Sequence, residues 1–440
     1  MAEDASFGPR ESARVAAADG GRTLFGHPRG LAVLFLTQMW AEFSYFGLQA
    51  MLVYYMTGDL GFSQAKSSLI YGTYGAAAFL SPFFGGIIAD RWLGRTKCVI
   101  AGGTLMMLGH FAMAFEPLLF PALALVAIGN GLFIPPLAVQ IGSLYRDGDP
   151  RQAQAFSAYY MGINLGGLTA PLICGSLGEM LGWHWGFSAA GIGMVIGLLV
   201  YVRNLGLLPP EPARPNASAP GDPKILSSLD WRNLRILGVM IVTIILFRVA
   251  YEQSGNVIAL WVEHQTDRSF SLLGFALEVP ATWFQSINPA LIIVLTPFLM
   301  RHWQRRAEGE GLNVLFRRMS IGCLLSSLSM AVMIGGAAAY SDTGQPVSMI
   351  WVLGYFVMLT VGELFVIPVG LSLIGRLSPV QIAAMLMGAW YLAKFIGSML
   401  AGIMGAYWGV IPATAFFAIG LAALLLAAAV LAMMSRLHAR

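Results

Sequence analysis

Apolar residues do not alternate with polar ones along this chain. They come in long runs separated by short polar breaks. A membrane-spanning helix needs roughly 20 mostly apolar residues. Twelve runs come close to or pass that length, near 30–56, 67–89, 98–115, 119–142, 155–178, 184–202, 234–260, 275–300, 319–340, 348–374, 381–406 and 411–434. Several are longer than needed, which predicts tilt or extension beyond the bilayer. Barrel strands cross in about 10 alternating residues, so runs this long and this rich in Gly, Leu and Ala exclude a barrel. The pattern predicts an all-α membrane protein with twelve transmembrane helices.

Composition narrows the class. Of the 440 residues, 57% are hydrophobic and 11% charged, whereas a soluble domain is about 25% charged. A water-soluble enzyme, a nucleic-acid binder and a disordered chain are thereby excluded. Cys98, Cys174 and Cys323 are widely spaced in apolar segments, with no paired-cysteine or Cys/His spacing, so neither a disulfide framework nor a metal site is expected. The first thirty residues hold no short apolar core followed by a cleavage site; no signal peptide is expected.

Charge placement then gives orientation. Of the 26 Lys and Arg residues, Lys66 and Arg268 alone fall on one side of the predicted membrane, and Arg248 and Lys394 lie inside spans. The other 22 fall on the side that holds both termini, here called side one. By the positive-inside rule side one is the cytoplasm of a cell membrane. Between the sixth and seventh runs the chain carries Pro209, Pro210, Pro212, Pro215, Pro220 and Pro223. Such a linker is extended and semi-rigid. The expected organisation is a tail over 1–29, a six-helix bundle over 30–205, a Pro-rich cytoplasmic linker over 206–231, a second six-helix bundle over 232–434 and a tail over 435–440. Asn216-Ala-Ser218 matches a glycosylation acceptor but lies in the cytoplasmic linker and is expected to stay unmodified. Two six-helix halves around a cytoplasmic linker resemble the major facilitator superfamily, whose site lies at midplane between the halves.

Motifs sharpen the resemblance. Between runs two and three stands a stretch with Gly85, Gly86, Asp90, Arg91, Gly94, Arg95 and Lys97. It resembles the superfamily's cytoplasmic signature loop, with Gly85 and Gly86 permitting close helix approach and Asp90 and Arg91 placed to pair with neighbours and with the next helix terminus. Further segments are Phe43-Ser44-Tyr45-Phe46-Gly47, Gly129-Asn130-Gly131, Tyr159-Tyr160 with Asn164, Tyr251-Glu252-Gln253, Phe284-Gln285 with Asn288-Pro289, Gly362-Glu363 and Gly388-Ala389-Trp390. In this order and spacing the chain resembles the proton-dependent oligopeptide transporters. It departs from that family at its first-helix signature. There Gln38, Ala41 and Glu42 replace two acids and a base, Gln49 and Ile134 replace bases, and Phe79 replaces a tyrosine. The family's bases at Gln49 and Ile134 hold a peptide carboxylate, so their loss implies weak or altered recognition of ordinary peptides, or a substrate that is cationic, amidated or without a free carboxylate.

Five ionisable residues lie inside spans: Glu42, Arg248, Glu252, Glu363 and Lys394. At about 3 kcal/mol each they would together cost roughly 15 kcal/mol unrelieved. They must face water, pair or go neutral. The resemblance makes Glu363 the acid that receives a peptide's amino terminus. Glu252 carries a proton or pairs with Arg248, one turn before it. Glu42 rests against Arg248 or carries the proton. Lys394 is a counter-ion for Glu363 or packs and snorkels. Asn164, Gln285 and Asn288 offer donors and acceptors to a backbone-like substrate, and Tyr45 and Trp390 would shape its pockets; for each of these, interhelical bonding or packing is the alternative. Gln49, at the position of a family base, is a further candidate substrate ligand. His110 is read as a satisfied interior histidine.

No phosphate loop, metalloprotease motif or nucleophile elbow is present, so no enzyme and no ATP-driven pump is expected. The expected protein is a monomeric secondary transporter without cofactors, driven by the proton gradient. It would bring di- or tripeptides, or a related amino-bearing solute, into the cell by alternating access. The alternatives are a facilitator or exporter without standard proton coupling, and a non-transporting receptor on the same fold. No nucleic-acid partner is expected.

Overall fold

The structure is a computed structural model, and it describes residues 23–24, 26–146, 149, 151–211, 228–272, 275–304, 311–377 and 383–438. Most of the N-terminal tail and the linker residues 212–227 lie outside the described residues.

Among the described residues, twelve long helices account for the apolar runs. They are α1 (Arg29–Gly58), α2 (Gln64–Ile88), α3 (Arg95–Ala112), α4 (Leu119–Gly142), α5 (Arg151–Ala170), α6 (Trp183–Arg203), α7 (Ser228–Tyr251), α8 (Ile287–Gln304), α9 (Leu312–Thr343), α10 (Ile350–Leu377), α11 (Ala383–Gly405) and α12 (Ala413–Leu437). Ten of the spans are long and apolar enough to cross a membrane. The other two are α3, which carries Arg95, Lys97 and His110 within 18 residues, and α11, whose apolar part is Ala389–Gly405.

The helices are not uniform rods. A π-helical turn, Ala89–Leu93, extends α2 toward side one, and another, Pro171–Gly175, joins α5 to the short helix Ser176–Leu181. The chain tightens to a 3₁₀ turn at Glu252–Gly255 just after α7, then resumes as Val257–Gln265. The run expected at 275–300 begins differently. Ser269–Leu272 and Phe275–Glu278 form an antiparallel hairpin pairing Ser269 with Glu278, and a 3₁₀ segment Ala281–Ser286 leads into α8. Alternation of Ser and apolar residues over 269–272 is the period of a strand, which a simple count of apolar residues does not register.

Packing follows small residues. A Cβ on Gly72 of α2 would fall 2.8 Å from the Ser398 carbonyl oxygen of α11, and one on Gly102 of α3 2.6 Å from the Gly129 carbonyl of α4. Without a hydrophobic drive between helices in lipid, such close approach is what holds them. One apolar core gathers α7–α12, with Phe247, Trp261, Phe316 and Tyr355, and takes in Val53 and Tyr54 of α1. Two others lie within α1–α6, one around Leu48 and Phe187 and one around Leu34 and Phe133.

The first six helices meet the last six along a hydrogen-bonded seam near side two. Glu179 accepts from the backbone N–H of Ala281 (2.9 Å) and Thr282 (2.8 Å) and from the Thr282 hydroxyl (2.7 Å). Arg268 lies 3.8 Å from Glu179 and 2.7 Å from Glu278. Trp283 donates to Ser176, the Ser286 hydroxyl to the Leu168 carbonyl, and Tyr54 to the Ala259 carbonyl. Gln64 donates to the Gly405 carbonyl at 2.7 Å, and Ser68 to Asn256 at 2.8 Å.

Candidate functional site

The five in-span charges come from α1, α7 with the turn that follows it, α10 and α11, and converge. Lys394 has Arg248, Glu363 and Glu42 as its charged neighbours. Each position depends on local sequence. Gly166 of α5 lets α1 pass closely, since a Cβ there would lie 3.0 Å from the Glu42 Cβ. Gly397 of α11 admits the Arg248 stem, and Gly362 brings α10 against Ser326 and Gly322 of α9 one residue before Glu363.

Arg248 and Glu252 pair directly across one helical turn, and both are buried. This is the intrahelical pair that their spacing allowed. The Arg248 guanidinium also lies 5.1 Å from the Phe79 ring centre and 4.7 Å from that of Tyr251. Glu363 is held by neutral donors. Asn288 of α8 donates to its Oε2 at 2.8 Å and to Thr360 at 3.0 Å, and Tyr251 hydrogen-bonds the same carboxyl. Glu42 takes a 2.6 Å bond from Gln38 on its own helix. The cation acting on it is Lys394, not the Arg248 that one of its two expected roles would have given it. Lys394 places Nζ 4.9 Å from the Phe79 ring centre and 5.7 Å from that of Tyr391, and among the described residues it makes no ion pair. Cation–π contacts of this kind are worth about 0.5–2 kcal/mol, less than a buried ion needs.

Around Glu42 stand the phenols of Tyr45, Tyr74 and Tyr159. Their hydroxyls are buried and make no hydrogen bond to the described residues. Buried hydroxyls nearly always find a partner, yet these three, like the Gln38 Oε1 and Ser44 hydroxyl nearby, have none among the described residues. Tyr45 stacks on Tyr74 with ring centres 6.2 Å apart.

Other expected ligands are engaged elsewhere. Gln49 donates to the Tyr71 hydroxyl at 2.9 Å, and that hydroxyl sits against Gly255 in the break after α7. Gln285 donates to the Ser254 carbonyl at 2.7 Å, satisfying a backbone group that the break leaves without a helical partner. Asn164 donates to the Tyr160 carbonyl at 2.8 Å. Trp390 is core, packed on Gly370. His110 is fully buried, and neither ring nitrogen is hydrogen-bonded among the described residues; it is not the satisfied histidine expected.

In the signature loop, Gly85 has the steric requirement and Gly86 does not. A Cβ on Gly85 would collide with the Gly131 carbonyl, whereas one on Gly86 would sit 3.8 Å from Pro135. Gly94 takes φ +85°. Asp90 and Arg91 are exposed. The carboxylate on the α3 N-terminus is that of Glu211, which accepts from the Thr96 N–H at 2.6 Å, while Arg95 reaches Ser143 at 3.2 Å. An acid at a helix N-terminus meets unpaired N–H groups and the positive end of the dipole. Sequence reasoning missed Glu211, Glu179 and Tyr251; the first two bind backbone N–H groups distant in sequence, which leave no motif.

Clefts formed by described residues also lie apart from this cluster. One of about 480 Å³ opens at side two beside Arg268, Glu278 and Gln345. One of about 280 Å³ is apolar, between Leu172, Trp283 and Leu353.

Comparison with known proteins gives the family. The family model described as "PTR2: POT family" matches residues 96–216 and 230–429. The peptide transporter YePEPT of Yersinia enterocolitica is 31% identical, the match covering 88% of this chain and 89% of that protein. The di-/tripeptide transporter of Lactococcus lactis subsp. cremoris is 31% identical over 84% of this chain and 88% of its own. Among solved structures, a mutant peptide transporter POT in complex with alafosfalin is 29% identical, with TM-score 0.85, covering 97% of this chain and 98% of that one. A POT family transporter in complex with 5-aminolevulinic acid is 25% identical, with TM-score 0.86, covering 95% and 98%. By the match along most of its length and its twelve-helix major facilitator fold, this chain is a multi-pass membrane protein of the POT family.

Proposed function

We propose that the protein is a secondary active transporter that takes up di- and tripeptides with protons by alternating access. The observation that carries this reading is Glu363: a buried mid-helix carboxylate on α10, held by Asn288 and Tyr251, with no cation paired to it in the described ion pairs. A substrate ammonium completes it. The relatives named above, a peptide transporter and a di-/tripeptide transporter, support peptides as the substrate class, and the family supports proton coupling.

In this reading α1–α6 (30–205) and α7–α12 (232–434) are the two bundles that rock about the site. Residues 206–231 form the linker between them, 1–29 and 435–440 are tails, and both termini face the cytoplasm of the cell membrane. Glu179 and Arg268 close side two. Tyr45 and its neighbouring phenols meet the substrate, and the proton rides on Glu363, Glu252 or Glu42. The protein works as a monomer without a cofactor.

Uptake of labelled dialanine into proteoliposomes tests this. An inward proton gradient is expected to drive accumulation, and a protonophore to abolish it. Accumulation untouched by the protonophore would overturn proton coupling. Binding detected by thermal shift with no flux would support the receptor alternative instead.

A further inference from the structure

The charge distribution in the site is asymmetric. Two cations lie in the spans. Arg248 is paired to Glu252 and buried with it. Lys394 is the twelfth residue of the 23-residue α11, and it is less buried than the other four in-span charges. Among the described residues it lies against two neutral rings, those of Phe79 and Tyr391. A mid-span ammonium held only by rings is under-compensated, and three charged neighbours, Arg248, Glu363 and Glu42, place it toward the interior of the bundle rather than toward lipid. On the opposite side of the balance Glu363 is held by neutral donors. Among the described residues the site therefore presents one acid and one base, each lacking an ion-pair partner, on adjacent helices of one half.

We propose that Lys394 binds the free carboxylate of a zwitterionic substrate while Glu363 binds its ammonium. The ligand class is a short peptide, or an amino acid derivative, with both ends charged. Nothing at Gln49 or Ile134 can supply that cation: Gln49 is neutral and bonded to Tyr71, and Ile134 is apolar. This rests on the peptide-transport reading above and makes Lys394 the residue that sets preference for a free carboxyl end. A point-charge ammonium on a flexible stem suits a carboxylate whose position shifts with peptide length.

The test compares dialanine with its C-terminal amide as competitors of labelled dialanine uptake, in proteoliposomes of the full chain. The wild type is expected to favour the free acid by at least about tenfold, the worth of one charge-assisted bond. Lys394→Gln is expected to erase that preference by weakening the acid and sparing the amide, and Lys394→Arg to restore part of it. A wild type that does not discriminate overturns the proposal even if the variant fails to fold. So does a Lys394→Gln protein that loses both competitors equally, the signature of a mere counter-ion to Glu42. A wild type that transports dialanine but fails either comparison leaves the peptide reading standing. A wild type that moves neither compound overturns both.

Discussion

Two carboxylates, Glu179 at the side-two seam and Glu363 at mid-membrane, make nearly the same number of hydrogen bonds to opposite effect. Glu179 spends its lone pairs on the Ala281 and Thr282 N–H groups and the Thr282 hydroxyl, with Arg268 behind it. Every contact crosses between helices of the first six and the last six, so it acts as a clasp. Glu363 is bonded by Asn288 and Tyr251, neutral side chains of its own half, and its charge stays available. The difference teaches that what a buried acid does depends on which elements its donors come from and on whether a cation already touches it. Arg248 and Glu252 are the third case, a pair closed on itself.

The largest effect is expected where charge is left bare. Arg248→Met should cost about 3–5 kcal/mol of stability by stranding Glu252. Replacing both by Met and Leu should recover most of it, as read by thermal unfolding in detergent. A single variant as stable as wild type would mean that the pair is not closed on itself. Next, Glu363→Gln should lower proton-driven uptake by about 100-fold or more, the loss of one charged contact in the membrane, with little change in unfolding temperature. Glu179→Ala should loosen side two. Removing bonds to a charged acceptor costs about 1.5–3 kcal/mol, so labelling of a cysteine placed at Ser176 should quicken by about tenfold. Unchanged labelling would reduce Glu179 to a local cap. The smallest contrast lies in the signature loop. Gly85→Ala should cost about 1–3 kcal/mol through its clash with Gly131, and Gly86→Ala within about 0.5 kcal/mol.

The twelve spans were legible because lipid demands about 20 apolar residues per crossing. The break after α7 was not, since Glu252–Gly255 carries no proline. What holds the break open, Gln285 on the Ser254 carbonyl and Tyr71 against Gly255, comes from residues distant in sequence. The same cause hid the backbone bond of Gln285, a form of the interhelical bonding that stood as the alternative to a substrate contact. Glu363 and Lys394 were legible because an ion in an apolar run stands out. Their pairings were less so: Asn288, Tyr251 and Phe79 stood out in the sequence, but which charge each meets depends on how the helices pack. Trp390 illustrates the limit from the other side, a motif residue whose ring fills the core.

The central claim is that peptide movement is powered by protons and passes through Glu363. Accumulation of labelled dialanine in proteoliposomes after an acid jump outside, compared between wild type and Glu363→Gln at equal reconstituted amounts, tests it most directly. The account predicts accumulation above equilibrium in the wild type and none in the variant. Accumulation in the Glu363→Gln protein equal to wild type would contradict it.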